Sequence, residues 1–403
     1  MTVIDLTTAL AGPYATFLLA GLGARVIKVE NPAAGDTSRT NAPYLGREGI
    51  KLARDRDDDM SITNINRSRN KLGVTLNLKH PAAREVFADL VRDADIVVEN
   101  FSRGTVERLG VGYSFASSVT PRIVYCSISG FGQDGEPGGG KAMDAIIQAM
   151  SGLMLTSGGP GDPPIRVGVP VADLQAPLFA VIGILSAVHQ ARQTGVGQYL
   201  DISMLGVLSS LVAGEHFDVL DRLGVPLRTG STLPRLTPFG VYSTSDGWIA
   251  LAAPTDAFAA GVFRAIGHPE LNEDPRFRSR DQRVRHTVEV DALIRPWTAG
   301  RTRGEALAAL EAEGVPCAPV RSPIEAVQDP DVLRRGEVVR LEHPTYGAID
   351  EVYGAGLPIR FSNAEVGFDR PAPWLGEHNT YVYQELLGYD ADRLAALQSE
   401  GAI

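Results

Sequence analysis

The chain has 403 residues, 44% of them hydrophobic and 21% charged, and a formal net charge of −10. That composition is ordinary for a globular protein. The length allows two or three domains, and the acidic balance argues against nucleic acid and anionic membrane as partners. The two cysteines, Cys126 and Cys317, have neither metal-site nor disulfide spacing, so no metal is expected and a reducing, cytoplasmic compartment fits.

Strand and helix patterns alternate through the first half. TVIDL reads as a short apolar strand and TTALAGP as the loop after it. Pro13 suits the first turn of a helix, PYATFLLAGLG, which ends on glycine. RVIKVE is the next strand. Residues 45–65, with GREGIKLARDRDDDMS, carry dense mixed charge and read as a solvated loop. GVTLNL, DIVVEN and RIVYCSIS are further strands, and HPAAREVFADLVRDA is an amphipathic helix between two of them. Cys126 falls in the last of these strands as a core thiol.

Strands separated by helices imply parallel pairing. The expected fold is α/β, with a doubly wound, Rossmann-like parallel sheet in a large domain built from residues 1–215 plus 330–403. A smaller α+β domain is expected over 225–325, with linkers between.

QDGEPGGG at 133–140 and GGPGDPP at 158–164 read as turn-rich loops. The longest apolar stretch, GVPVADLQAPLFAVIGILSAVHQ, is interrupted or bounded by Gln175, Pro177 and His189. It falls short of the ~18–20 residues of a membrane span and reads as a buried helix with Asp173 at its mouth. MTVIDL does not read as a signal peptide. Beyond residue 215, TPFGVYSTSDGWIALAA predicts a β-hairpin with Asp246-Gly247 at its turn. Helices at FAAGVFRAIG and TRGEALAALEAEG follow, and VPCAPV is a short strand.

In open parallel sheets, ligands sit beyond the carboxyl ends of the strands. Here those ends are TTALAGP, NFSRG and GFGQDG. No G-x-G-x-x-G is present, so a nicotinamide oxidoreductase, the competing reading of the alternating pattern, lacks its phosphate fingerprint. Two basic clusters can hold phosphates. One is NRSRNK, with Arg67, Arg69 and Lys71; the other is Arg103 with Arg108. Either cluster alone reads as a solvated face rather than a site.

Together, LAGPYAT, LGARVIKVENPAAGD, NRSRNK, VVENFSRGTVERLG, YCSISGFGQDG, KAMDAIIQAMSGLM, GVPVADLQA, HPTYG and LGEHN resemble the family III coenzyme A transferases, and most of all their glutarate/succinate-type members. The related 2-methylacyl-CoA racemases share the scaffold. The likeness covers nearly the whole chain, and its specificity lies in the order and spacing of these stretches.

The resemblance implies an enzyme that moves coenzyme A from an acyl-CoA thioester to a free carboxylic acid such as succinate or glutarate. Asp173 would be the nucleophile, passing through an anhydride and an aspartyl-CoA thioester. Coenzyme A would be a substrate, with no tightly bound cofactor and no metal. Its contacts would come from Ala9, Leu10, Ala11, Asn100, Phe101, Arg108 and Lys141, with Arg69 and Lys71 of the NRSRNK stretch as further phosphate-binding candidates. An interlocked homodimer is also implied. Two features depart from the pattern. Asn31 stands where formyl-CoA transferase has an arginine, and TGSTLPRLTPFG replaces a glycine-rich lid. Arg235 in that stretch reads as a partner for the distal carboxylate of a dicarboxylic substrate or as a surface arginine.

A carboxylate is a weak nucleophile that can attack a thioester held against it. At a helix N-terminus, free N–H groups and partial positive charge are expected to keep Asp173 ionised and to stabilise oxyanions. The apolar residues behind it would exclude water. Taken alone, Asp173 reads as a helix cap. Asp144 in GGGKAMDAIIQAMSGLM reads either as helix-dipole placement or as an active-site carboxylate beside the nucleophile. The resembling racemases have a histidine just before that aspartate; Met143 stands there, and a thioether carries no proton. A non-catalytic CoA-binding subunit is a further reading, against which the presence of Asp173 speaks.

Overall fold

A computed structural model describes residues 1–134 and 141–403, so most of the loop expected at 133–140 lies outside the described residues. Two compact units are present. One comprises Met1–Ser151, Val167–Gly214 and Val327–Ile403; the other comprises Gly152–Arg166 and Glu215–Ala326. Residues 1–215 are expected wholly in the large domain; the segment Gly152–Arg166 groups with the second unit instead. Arg228 Nε donates to Ser157 O at 2.7 Å and Gly230 N to Gly158 O at 3.0 Å, tying the segment to the second unit.

The first unit is built on six parallel strands, in the order Lys71–Thr75, Arg25–Glu30, Thr2–Asp5, Ile96–Glu99, Val124–Ser129, Tyr199–Ser203. The first five are the strands expected from the sequence; Tyr199–Ser203 is an addition. Side chains alternate across the sheet. Ile4, Ile27, Val29, Leu72, Val74, Val97 and Tyr125 pack with Val86, Phe87 and Leu90 of helix Ala83–Arg92 and with Leu394 and Leu397 of the C-terminal helix. Asp5 points the opposite way and accepts the Thr16 hydroxyl at 2.6 Å, which puts helix Ala11–Gly21 on the other face. Strand order reverses between the neighbours Thr2–Asp5 and Ile96–Glu99. At such a point the outgoing loops diverge and a crevice opens at the carboxyl ends.

Helix Val171–Thr194 packs against Ala11–Gly21 and the last two strands of the sheet. Ala172, Ala176, Ala180, Ile184, Ala187 and Ala191 form its buried stripe. Two expectations are corrected here. The helix has 24 residues and is long and apolar enough to cross a membrane by length and composition. It is also only half-buried: Leu178, Phe179 and Ile182 are exposed, the last at 62%. Pro177 has no N–H for the Asp173 carbonyl four residues earlier, so that carbonyl is left out of the helical ladder.

The charged segment 45–65 is not a solvated loop. Tyr44–Gly46 pairs antiparallel with Gly49–Lys51 and Met60–Ser61, and helix Ile62–Ser68 follows. Leu45, Met60 and Ile65 build a small core with Leu341, Val352 and Ala372. Lys51 sits within 4 Å of Glu48, Asp55 and Asp59, so the charges cover the sheet.

In the second unit, Phe239–Thr244 and Gly247–Ala252 form the expected hairpin, joined antiparallel to Cys317–Pro319. The turn sits one residue earlier than expected: Ser245 and Asp246 are the loop, and Thr244 pairs with Gly247. Tyr242, Ile249 and Leu251 pack on Phe263, Val290, Ile294 and Leu310. Helix Arg303–Ala312 starts with a capping box between Thr302 and Glu305.

Candidate active site

A cavity of about 400 Å³ opens at the carboxyl ends of the central strands of the first unit. Three loops wall it: Thr8–Ala11 after the first strand, Asn100–Arg103 after the fourth and Ile128–Gly132 at the end of the fifth. Lys141, Ala142, Met143, Asp144, Asp173 and Met204 complete the lining.

The first two loops are tied together. Thr8 N donates to Asn100 Oδ1 and Asn100 Nδ2 to Thr8 O, both at 2.8 Å. Gly12 lets them approach; a Cβ there would lie 2.4 Å from the Thr7 side chain. Ala9 has φ +67°, a costly conformation for alanine. It is held at both ends. Its N–H donates to Asp36 Oδ1 at 3.1 Å, and its carbonyl accepts Arg67 Nη1 at 3.1 Å. Gly130 allows a similar approach, since a Cβ there would meet Ala142 Cβ at 2.1 Å.

Asp173 is the third residue of its helix, not the cap; Pro170 occupies the cap position and supplies no side-chain bond. The missing cap comes from Asp144, the first residue of helix Asp144–Met150, whose Oδ1 accepts the Ala172 N–H at 2.8 Å. Its Oδ2 accepts Gln148 Nε2 at 2.7 Å. Asp144 is therefore pinned through both oxygens. Among the described residues no hydrogen bond reaches the Asp173 carboxylate, which faces the cavity.

The electrostatics differ from expectation. Burial, and then the Asp144 charge, push Asp173 up to about 6, while Arg67 pulls the other way. The helix terminus does not hold this carboxyl in the ordinary range; it stays ionised at neutral pH because the rise stops near 6. Glu99, just below the second loop, is pushed up to about 7 by burial, and one of its oxygens accepts the Phe101 N–H at 2.7 Å.

Ala9, Leu10, Ala11, Asn100, Phe101, Lys141, Asp144 and Asp173 thus line one cavity. Three expected coenzyme A ligands, Lys71, Arg69 and Arg108, do not line it, and all three are corrected. Lys71 is only 2% exposed. Its ammonium is shared among Asp5 Oδ2, the Pro13 carbonyl and the Thr16 hydroxyl at 2.8–3.0 Å. Arg69 lies over the rings of Phe17 and Phe368 and donates to Asn66 and to the Ala355 carbonyl. Periodicity explains both. Lys71 opens a buried strand and Arg69 caps the preceding helix, so the chain direction turns both inward. Arg67, two residues earlier, is the member of the cluster that stays beside the cavity loop. Arg108 is exposed on the short helix Thr105–Leu109, bonded to Thr105 Oγ1 at 2.9 Å.

A second cavity, about 210 Å³, lies beyond the first three strands of the fold. Leu6, Val29, Leu76, Leu78, Phe101 and Leu109 supply apolar walls, with Asn31, Asp36, Asn77 and Lys79 at its polar positions. Leu76–Lys79 was missed in the sequence. Its signal was there, a polar-apolar alternation directly after a buried strand. Phe101 borders both cavities. Met143, 70% exposed, precedes Asp144 where a racemase would need a proton carrier. Among the described residues no His/Cys/Asp/Glu cluster could hold a metal ion.

Residues 1–379 match the model of CoA-transferase family III. The chain is 35% identical over 384 residues to the succinate–glutarate CoA-transferase of Agrobacterium fabrum, covering 95% of this chain and 94% of that one. It is 32% identical over 402 residues to the human succinyl-CoA:glutarate CoA-transferase, covering 100% of this chain and 88% of that one. A crystal structure of a CaiB/BaiF family protein from Brucella suis superposes with a TM-score of 0.80 at 32% identity, covering 96% of this chain and 98% of that one. Because these likenesses run the length of both partners, the chain belongs to CoA-transferase family III.

Proposed function

We propose that this enzyme transfers coenzyme A from an acyl-CoA thioester to a small dicarboxylic acid such as succinate or glutarate, with Asp173 as the covalent nucleophile. The observation that carries the reading is the Asp173 carboxylate itself. It is half-buried, without a hydrogen bond among the described residues, and faces a cavity at the switch point of the sheet. A carboxyl raised to about 6 is ionised at neutral pH yet more basic than an ordinary aspartate, which suits attack on a thioester.

The steps balance without a proton. An Asp173 oxygen adds to the thioester carbonyl and expels CoA thiolate, leaving a mixed anhydride. The thiolate attacks the aspartyl carbonyl, releasing the donor acid and forming an aspartyl-CoA thioester. The acceptor carboxylate attacks that thioester, giving a second anhydride and thiolate. The thiolate then takes the acceptor acyl group and frees Asp173. The apolar second cavity beside Phe101 suits an adenine ring, with Lys79 for phosphate. Asp144 serves as a positioning residue that fixes the helix start.

The relatives act on small dicarboxylates by name, among them glutarate, citramalate and mesaconate. The exposed Leu178, Phe179 and Ile182 suit burial in the expected interlocked homodimer. A cytoplasmic location fits acyl-CoA substrates and two free cysteines. The test is intact-mass measurement after incubation with succinyl-CoA. Wild type should gain a CoA adduct less water, and D173A should gain none and lose transfer; an active D173A enzyme would end the reading.

A further inference from the structure

We propose that Arg67 sets substrate specificity at the acyl-transfer site, its guanidinium receiving the second, non-reacting carboxylate of a dicarboxylic substrate while the first reacts at Asp173. The proposal rests on the reading of Asp173 as nucleophile.

Arg67 lies in the last turn of helix Ile62–Ser68. It donates once, to the carbonyl of Ala9 at 3.1 Å, and Ala9 and Asp173 line the same cavity. A guanidinium has five N–H donors in a fixed fork. Among the described residues this is the only protein hydrogen bond its guanidinium makes, and no ion pair is found for it. The other enclosed arginines have their donors engaged: Arg39 takes both Glu30 oxygens at 2.7 Å, Arg283 takes Asp256 at 2.8 Å, and Arg69, also without an anion, donates to Asn66 and the Ala355 carbonyl over two aromatic rings. A half-buried cation without an anion is costly. Burial accordingly pulls Arg67 below the usual guanidinium range, opposed by the charges of Asp173 and Asp36.

Neither carboxylate can serve as its permanent partner. Asp36 is already paired with Lys28 at 2.9 Å. Asp173 loses its charge in every covalent intermediate, as anhydride or thioester. During those steps the Asp173 charge is gone, and the anion that still acts on Arg67, Asp36, is committed to Lys28, which leaves room for a carboxylate that the substrate brings. Coenzyme A does not bring it, because the pantetheine arm separates its phosphates from the sulfur. The anion that arrives beside Asp173 is the free carboxylate of the acyl group or of the acceptor acid. A bidentate guanidinium–carboxylate pair is the strong form of that contact. Arg235, the sequence-level candidate for this role, is already paired with Glu215 at 2.5 Å.

The test measures ratios, so that changes in Asp173 reactivity cancel. One arm compares glutarate with monomethyl glutarate as acceptor; the other compares succinyl-CoA with butyryl-CoA as donor. Wild type should favour the charged member by about 100-fold in kcat/KM, the scale of one hydrogen-bonded contact to a charged group. R67M should reduce that ratio to below about fivefold, with R67K intermediate, and the arm that collapses identifies whether acyl group or acceptor is held. If both ratios persist in R67M and R67K, or wild type shows no preference, the assignment of Arg67 fails. A missing CoA adduct on wild type is a separate result and sinks the nucleophile reading instead.

Discussion

Asp144 caps a helix that is not its own: its Oδ1 accepts the Ala172 N–H at 2.8 Å, one residue before Asp173. The bond fixes where the Asp173 helix starts, and the same carboxylate raises the Asp173 carboxyl by its charge. The two effects separate by substitution.

D144N keeps an oxygen for the Ala172 N–H but removes the charge. The acid limb of the kcat/KM profile, expected near pH 6 from Asp173, should therefore move to lower pH. D144A loses the cap as well and should cost about 0.5–2 kcal/mol of stability, with a lower kcat. An acid limb unmoved in D144N would show that the two charges do not communicate.

Replacing Gly12 tests the loop pair. A Cβ at this position would stand 2.4 Å from Thr7 and 3.0 Å from Asn100, so G12A must push apart the loops that Thr8 and Asn100 lock together. An overpacking cost of about 1–3 kcal/mol is expected. KM for acyl-CoA should rise with it, measured against an unchanged fold by circular dichroism.

The parallel sheet was legible because RVIKVE, DIVVEN and RIVYCSIS are short β-branched runs buried on both faces, a pattern that local composition alone displays. Asp173 became legible through the order of many short stretches, not through its own neighbours. The three-stranded sheet at 44–61 was hidden because it contributes only Leu45 and Met60 to its core among many charges, and besides Ile65 its partners Leu341, Val352 and Ala372 are far away in sequence. The inward turn of Arg69 and Lys71 was hidden for a related reason: their partners, Phe368 and Asp5, are far away in sequence. Arg67 needed the fold before its proximity to Asp173 could be seen.

Lys71 should report in stability rather than in coenzyme A affinity. It shares Asp5 with Lys28, and together they overcome the burial penalty and hold that carboxyl at about 2. K71M leaves Asp5 Oδ2 with the Thr16 hydroxyl alone, a loss of about 3 kcal/mol or more for a broken buried pair. R108M, on an exposed side chain, should cost within about 0.5 kcal/mol. Denaturant titration of both variants checks the contrast, and equal losses would contradict it.

The exposed apolar face of Val171–Thr194 predicts assembly. Ile182 is 62% exposed and Phe179 47%, and a second copy would remove that surface from water. I182E should shift the light-scattering mass from twice the chain toward the single chain. A wild-type mass equal to one chain would remove the dimer from the proposal.

Asp173 itself should be a site where function opposes stability. Burial and Asp144 raise its carboxyl from the ordinary 3.8 to about 6, so the native state binds this proton more tightly than the unfolded chain does. The sign follows from linkage: native stability declines as pH rises from about 4 to 6, and the full penalty is present above that. That rise in pKa corresponds to roughly 3 kcal/mol, and partial exposure of the side chain reduces this to about 1–2 kcal/mol. D173N removes the charge while keeping the shape. It should be inactive and melt higher than wild type at pH 7.5, with the difference shrinking toward zero near pH 4. Thermal melts across that range check the argument. A D173N protein no more stable than wild type at pH 7.5 would mean that the nucleophile sits in a solvent-like setting, where its raised basicity, and with it the rationale for attack on a thioester, is lost.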